Sequence, residues 1–292
     1  MTGPIVVGTD GSPSSSAAVE WAADDAARKG LPLRVVHAVH HLPYVGATHT
    51  VPGLEDALTR AGRQFLERAE RLVRERRPDM ELSVELLDGP PGRVLAAQAA
   101  QASELVVGSR GRGGFAGMLL GSVSAHVAGH ASAPVVVVRP DHTPARAEVV
   151  VGIDESAECE PALGYAFEQA RLLGCPLRAV HGWQLPPEIY GGWFTYDHED
   201  VQRMRERLVK GALAAWRATY PDVPAEVDVI HEHPVTALVQ ASRDAAMLVV
   251  GCHGRGALGK AVLGSVSRGV LHHARCPVAV VHPPAVGTTT PA

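Results

Sequence analysis

The sequence predicts an α/β protein built from two tandem doubly wound domains. Each domain is expected to hold a five-stranded parallel sheet with helices on both faces. Three observations predict this. The chain has 292 residues, about two domains at roughly 150 residues each. It also repeats itself at half its length. Ile5-Val6-Val7-Gly8-Thr9-Asp10 returns as Val149-Val150-Val151-Gly152-Ile153-Asp154, a step of 144 from Asp10 to Asp154. Gly121-Ser122-Val123-Ser124 returns as Gly264-Ser265-Val266-Ser267, a step of 143 from Gly121 to Gly264. Within each copy, short apolar runs alternate with helical periodicity, the pattern of parallel strands joined by right-handed crossovers. The copies are expected at residues 1–140 and 147–283, with 141–146 a linker and 283–292 a frayed tail.

The elements follow in order. Residues 5–8 are a short apolar run suited to a strand buried on both faces. Ser12-Pro13 then gives an N-cap and a proline at the first helical position. The helix carries Ala18, Trp21 and Ala22 on one face and stops near Gly30. Residues 33–39 read as the second strand. Leu58, Ala61, Phe65, Ala69 and Leu72 mark the apolar face of a long amphipathic helix. A third strand at 82–87, a short helix at 94–102 and a fourth strand at 105–108 follow. A last helix at 121–131 and a last strand at 135–138 close the first copy.

Composition narrows the function. Hydrophobic residues make up 46% and charged residues 20% of the chain, enough for a full core and too apolar for a disordered scaffold. A net charge of −4 leaves no general basic field for nucleic acid. No apolar run approaches the ~18 residues of a membrane span. The first basic residue is Arg28, so the start lacks the charged region of a secretory signal. Cys159, Cys175, Cys252 and Cys276 fall in one half with no CxxC spacing, which argues against a disulfide framework. Together these features point to a soluble, reduced, cytoplasmic protein.

The informative segment begins where the fourth strand ends. There ligands bind in such sheets, outside the carboxyl ends of strands where their order reverses. Gly108-Ser109-Arg110-Gly111 is followed after nine residues by Gly121-Ser122. In the second copy Gly251-Cys252-His253-Gly254 is followed after nine by Gly264-Ser265. Glycine lets main-chain N–H groups approach an anion without a Cβ in the way. A glycine-serine step opening a helix adds free N–H donors, the positive dipole end and a hydroxyl. Arg112 and Arg255 supply charge with a geometry suited to phosphate. One such loop could simply turn, but two with the same spacing read as phosphate cradles.

The pattern G-x2-G-x9-G-S/T resembles the ATP-binding signature of the universal stress protein family. The resemblance covers both copies nearly end to end. It includes Gly8-Thr9-Asp10-Gly11-Ser12, His37-Ala38-Val39 and Ala133-Pro134-Val135-Val136-Val137. It implies a Rossmann-like, adenine nucleotide alpha-hydrolase-like fold with ATP, alone or with Mg2+, across each switch point. The adenosine part would meet Asp10 or Asp154, and the adenine pocket would be lined by Ala38 or Gly182. In the first site the resemblance adds Gly8, Gly108, Ser109, Arg110, Gly111, Arg112, Gly113, Gly114, Gly121, Ser122 and Val123 around ribose and phosphates. In the second it adds Gly152, Gly251, Cys252, His253, Gly254, Arg255, Gly256, Ala257, Gly264, Ser265, Val266 and Ser267. It further implies a homodimer that regulates an unidentified protein partner in the stress response, with slow ATP hydrolysis at most and no catalytic or metal-ligating residue.

The two copies differ where it matters. Glu155 replaces Gly11, and Cys252-His253 replaces Ser109-Arg110. The second site should therefore bind ATP more weakly above neutral pH and gain affinity as His253 protonates. A helix N-terminus contributes ~0.3–1 kcal/mol to an exposed anion, whereas micromolar binding needs about 8 kcal/mol. Loop amides, arginines and an apolar adenine slot must therefore act together.

Other motifs fail on context. Gly254-Arg255-Gly256-Ala257-Leu258-Gly259 fits GxGxxG but precedes no helix directly, and no acidic residue follows it. With Lys260 it approaches a P-loop, but Ala261 stands where Ser or Thr is required. His231-x-His233, His272-His273 and His40-His41 lack the paired spacing of a zinc site. His37 and His181 end matching strands and read as packing residues. No GxSxG elbow occurs. The aromatic segment 183–196 reads either as a lid, as a subunit contact or as a loop folded over its own core. The apolar strands at 135–138 and 278–281 need covering, by pairing of the two copies or of two chains. Two rival functions stand beside the leading one: an adenylate-forming or ATP pyrophosphatase-like enzyme of related fold, and an interaction module with a relic pocket.

Overall fold

A computed structural model describes residues 3–40, 53–113, 119–140, 142, 147–154, 156, 159–185, 197–253 and 263–283. The chain divides into two units, Met1–Asp141 and His142–Ala292. Unit 1 runs β1 (Ile5–Gly8), α1 (Pro13–Lys29), β2 (Leu33–Val39), α2 (Leu54–Arg76), β3 (Leu82–Asp88), α3 (Pro91–Gln98), β4 (Glu104–Gly108), α4 (Ser122–His130) and β5 (Val135–Val138). Unit 2 runs β6 (Val149–Gly152), α5 (Glu160–Leu173), β7 (Leu177–Gly182), α6 (His198–Thr219), β8 (Ala225–Ile230), α7 (Pro234–Ala241), β9 (Met247–Gly251), α8 (Ser265–His273) and β10 (Val278–Val281).

Within unit 1 the strands lie in the order β3-β2-β1-β4-β5, and every pair is parallel. Unit 2 repeats this as β8-β7-β6-β9-β10, again parallel throughout. In unit 1, α1 packs against α2, and α3 against α4; unit 2 does the same with α5 on α6 and α7 on α8. The sheet order reverses between β1 and β4, and between β6 and β9. A crevice therefore opens at the carboxyl ends of those strands.

Local chemistry explains the elements. β1 and β5 are buried at every position, as expected of apolar strands covered on both faces. Ser12 caps α1 by accepting the Ser15 N–H at 3.2 Å, and Gly30, at φ 64°, ends it in a left-handed turn. α3 starts earlier than the periodicity suggests, at Pro91 in its first turn, and ends in a 3-10 turn at Ala99–Gln101. Ala18 and Ala22 are fully buried, but Trp21 is only half-buried.

The buried stripe of α2 is rotated from the expected one. It runs through Gly62, Leu66, Ala69 and Val73, while Leu58 is exposed and Phe65 half-buried. Gly62 sets this rotation. A Cβ there would stand 2.7 Å from His37 Cδ2, so the glycine lets the helix lie close on β2 and turns Phe65 toward the crevice.

One buried feature is ionic. Lys29 Nζ lies 2.7 Å from Asp25 and 2.6 Å from Glu104, and both carboxylates are 0% exposed. Steps of 144, 144 and 143 place Gln169, Leu173 and Met247 at the matching positions of unit 2. The four cysteines are buried and none is in a disulfide. Among the described residues, no helix is long and apolar enough to cross a membrane.

Candidate functional site

In unit 1 the crevice is built from serine hydroxyls, one carboxylate and close-packed glycines. Asp10 follows β1. Its Oδ1 accepts the Ser12 N–H at 3.0 Å and its Oδ2 accepts the Arg112 N–H at 2.8 Å. A Cβ on Gly111 would stand 2.6 Å from Oδ2, so only glycine lets the loop rest on this carboxylate. Burial alone would raise the Asp10 carboxyl. Hydrogen bonds from the Ser12 hydroxyl, the Arg112 and Ser12 amides and the Ser15 hydroxyl outweigh it and hold the group below its ordinary value.

The end of β4 is fastened in the same way. The Ser109 N–H donates to Val138 O at 2.8 Å, and the Gly121 N–H donates to Ser109 O at 2.8 Å. The Ser124 hydroxyl donates to the oxygens of Ser109 and Gly121 at 3.1 and 3.0 Å. The loop that leaves at Ser109 is thereby closed where α4 begins. Ser14 and Ser109 hydroxyls lie 3.3 Å apart, and the Arg110 N–H donates to Ser14 Oγ at 3.3 Å. A Cβ on Gly108 would press to 2.6 Å on the Ser14 main chain. α4 opens at Gly121 with no side-chain cap. The Ser122 and Val123 N–H groups thus have no partner within the helix, and Ser122 is exposed.

Asp10, the residues from Gly108 to Arg112, Gly121, Ser122 and Val123 are thus gathered at the ends of β1 and β4. Gly8 belongs to the packing beneath them, with a Cβ position 2.7 Å from Leu95. Ala38 sits one strand out, paired with Leu87. Gly113 has open space around it. Ser109 is 1% exposed, so its hydroxyl serves the scaffold. Gly114 lies outside the described residues.

Two side chains enter the crevice that periodicity assigned elsewhere or passed over. Phe65 lies under the Arg112 guanidinium, 4.8 Å from ring centroid to Cζ, and edge-on to His37 at 5.3 Å. Ser14 fastens the loop as described. Its signal was present in the hydroxyl run Ser12-Pro13-Ser14-Ser15-Ser16 directly after the strand. His37 Nδ1 pairs with Thr9 O at 2.6 Å, and His181 Nδ1 pairs with Ile153 O at 2.8 Å. Both imidazoles tie the central strand to the next.

Unit 2 repeats the fastening. The Cys252 N–H donates to Val281 O and the Gly264 N–H to Cys252 O, both at 2.8 Å. The Ser267 hydroxyl donates to Gly251 O at 2.6 Å, and α8 opens with Ser265 and Val266 after Gly264. Asp154 Oδ1 accepts the Ser156 N–H at 3.1 Å and the Ser156 hydroxyl at 2.5 Å. Cys252 is buried with its Sγ 2.9 Å from His253 Nδ1. Burial pushes its thiol up to about 11, so at neutral pH it is an inert thiol. His253 Nε2 is buried with no partner among the described residues. Gly254, Arg255, Gly256 and Ala257 lie outside them, as do Glu155 and the GxGxxG-like run.

Gly152 and Gly182 serve packing. A Cβ on Gly152 would meet Leu238 at 3.0 Å, and one on Gly182 would meet Pro234 Cα at 2.7 Å. Gly182 therefore admits the start of α7. Of the aromatic segment, Trp183 is buried in unit 2, where its indole N–H donates to Gln202 at 3.1 Å. Its other aromatic residues, Tyr190, Trp193, Phe194 and Tyr196, lie outside the described residues. Among the described residues no three His, Cys, Asp or Glu side chains cluster as a metal site.

Comparisons with known proteins bear on this arrangement. A sequence profile described as the Universal stress protein family matches residues 1–139 and again 146–282. Universal stress protein Rv2005c of Mycobacterium tuberculosis is 40% identical, with 94% of this chain and 96% of that protein aligned. Universal stress protein Rv1996 of the same organism is 35% identical over 96% and 95% of the two chains. A crystal structure of a universal stress protein from Archaeoglobus fulgidus shares the fold. It has a TM-score of 0.69 at 21% identity, covering 97% of this chain and 99% of that one.

Proposed function

The chain belongs to the universal stress protein family, and on that premise we propose that it is an ATP-binding regulator of the stress response. One nucleotide would bind per unit, in unit 1 beside Asp10, the loop from Gly108 to Gly114, and Gly121, Ser122 and Val123. In unit 2 it would bind beside Asp154, the loop from Gly251 to Ala257, and the turn from Gly264 to Ser267. The carrying observation is the seating of Gly111 on Asp10: the Arg112 amide is fixed at 2.8 Å from the carboxylate, and the same segment closes back onto the open N-terminus of α4.

The chemistry fits a polyphosphate. First-turn amides with no partner within the helix and a glycine loop favour an anion, and Arg110 and Arg112 add charge. An ionised Asp10 has about four acceptor positions, and the Ser12 and Ser15 hydroxyls that share it with two amides would rotate away to admit an adenosine hydroxyl or amine. Among the described residues each unit offers a single carboxylate here, so Mg2+ would ride chiefly on the phosphates. Hydrolysis is proposed to be slow or absent, with the bound state as the signal. A homodimer, a cytoplasmic location and one regulated protein partner belong to the same proposal, on the strength of the resemblance.

Mass spectrometry of small molecules released when the purified protein is denatured tests the reading. Release of ATP or another adenosine compound is expected. Release of none, together with no heat on titrating ATP, contradicts it.

A further inference from the structure

Unit 2 carries a cluster with no counterpart among the described residues of unit 1. His198 is the first residue of α6 and His231 directly follows β8. His198 Nε2 and His231 Nδ1 are 3.0 Å apart. We propose that these two imidazoles form a binding site for one divalent transition-metal ion of the zinc, copper or nickel class, distinct from the crevice.

The spacing suits an ion. Two nitrogens at about 2.0–2.1 Å from one metal and roughly at right angles stand about 3 Å from each other. The rings are also held in place. Both lie against Trp183, with centroids 5.3 Å away for His198 and 4.4 Å for His231. Trp183 is itself fixed through Gln202, whose amide donates to Val229 O at 2.7 Å and so ties α6 to β8. Imidazole is a borderline ligand that selects zinc, copper or nickel over magnesium or calcium. Both rings are exposed, so water can complete the coordination.

The fold does not require this cluster. Steps of 144, 144 and 143 place Val39, Leu54 and Asp88 where unit 2 has Trp183, His198 and His231. The sheet register agrees, since Leu33 pairs with Leu82 as Leu177 pairs with Ala225. When the ion enters, the hydrogen between the two nitrogens moves to the far nitrogen of its own ring. Both imidazoles stay neutral and no other reactant is consumed. Protons compete with the ion for these nitrogens, so binding weakens as pH falls.

The test is calorimetric titration of Zn2+ into the full-length chain, repeated with Cu2+ while following tryptophan fluorescence. Zn2+ is expected to bind the wild type, and Cu2+ to quench Trp183, with the quenching lost in W183F. His198→Gln and His231→Gln, each at an exposed position, should weaken Zn2+ binding about tenfold or more. His272→Gln/His273→Gln should leave it unchanged. Absence of Zn2+ binding, or wild-type affinity in both H198Q and H231Q, overturns the proposal.

Discussion

The Arg112 main-chain N–H reaches across 102 residues of sequence to donate to Asp10 Oδ2 at 2.8 Å. This bond joins the ends of β1 and β4, and Gly111 makes it possible by having no Cβ. Gly111→Ala would place a methyl 2.6 Å from the carboxylate oxygen and force the two apart. A lost hydrogen bond to a charged group costs about 1.5–3 kcal/mol. Denaturant melts of G111A should show a loss of that order, whereas Gly113→Ala, in open space, should stay within about 0.5 kcal/mol of wild type.

Acid should unfasten the same bond. The Asp10 carboxyl lies below its ordinary 3.8 in the folded state. Its contribution is therefore complete above pH 3.8 and is lost as pH falls through the lower folded value. Melts between pH 5 and pH 2 should show a steeper acid loss in wild type than in Asp10→Asn, with the two diverging below pH 3.8. Identical acid limbs would contradict the assignment.

The buried Lys29 group gives a test inside one chain. Lys29→Met takes the ammonium from Glu104 and leaves Asp25 with Arg28, 3.0 Å away; breaking such a buried group typically costs about 3–5 kcal/mol. Installing the unit 2 residues together, as D25Q/K29L/E104M, should recover most of that stability. Burial lowers and the two carboxylates raise the Lys29 pKa, with a net rise. Its stabilisation is thus complete below pH 10.5 and is lost as pH climbs through the raised folded value. Alkaline melts of wild type and the triple variant should diverge there.

His253 brings an imidazole to the second crevice. Its Nε2 is buried with no partner among the described residues, a position that a phosphate oxygen could fill. ATP affinity of unit 2, measured with unit 1 disabled by G111A, should fall on His253→Ala. Equal affinity with and without the imidazole would count against a role for His253.

Much of this architecture was legible in the repeated sequence. Asp10, Gly111 and Gly121 stand where the spacing places them because a glycine loop on a carboxylate needs those residues at those steps. The rotation of the long helix is not legible in its own periodicity. Phe65 fits the apolar stripe of an isolated helix, but the close approach that Gly62 permits to His37 shifts the stripe by one position. Gly182, which the resemblance sets beside the adenine, also makes room for Pro234 by its missing Cβ. Both depend on contacts between elements far apart in sequence, which periodicity within one element does not encode.

The most direct test of nucleotide binding at the paired crevices is the ATP stoichiometry by titration calorimetry of wild type and G111A near pH 7. Two nucleotides per chain are expected in wild type and one in G111A, with the remaining affinity unchanged. Equal stoichiometry in the two proteins, or no binding to either, would contradict the account.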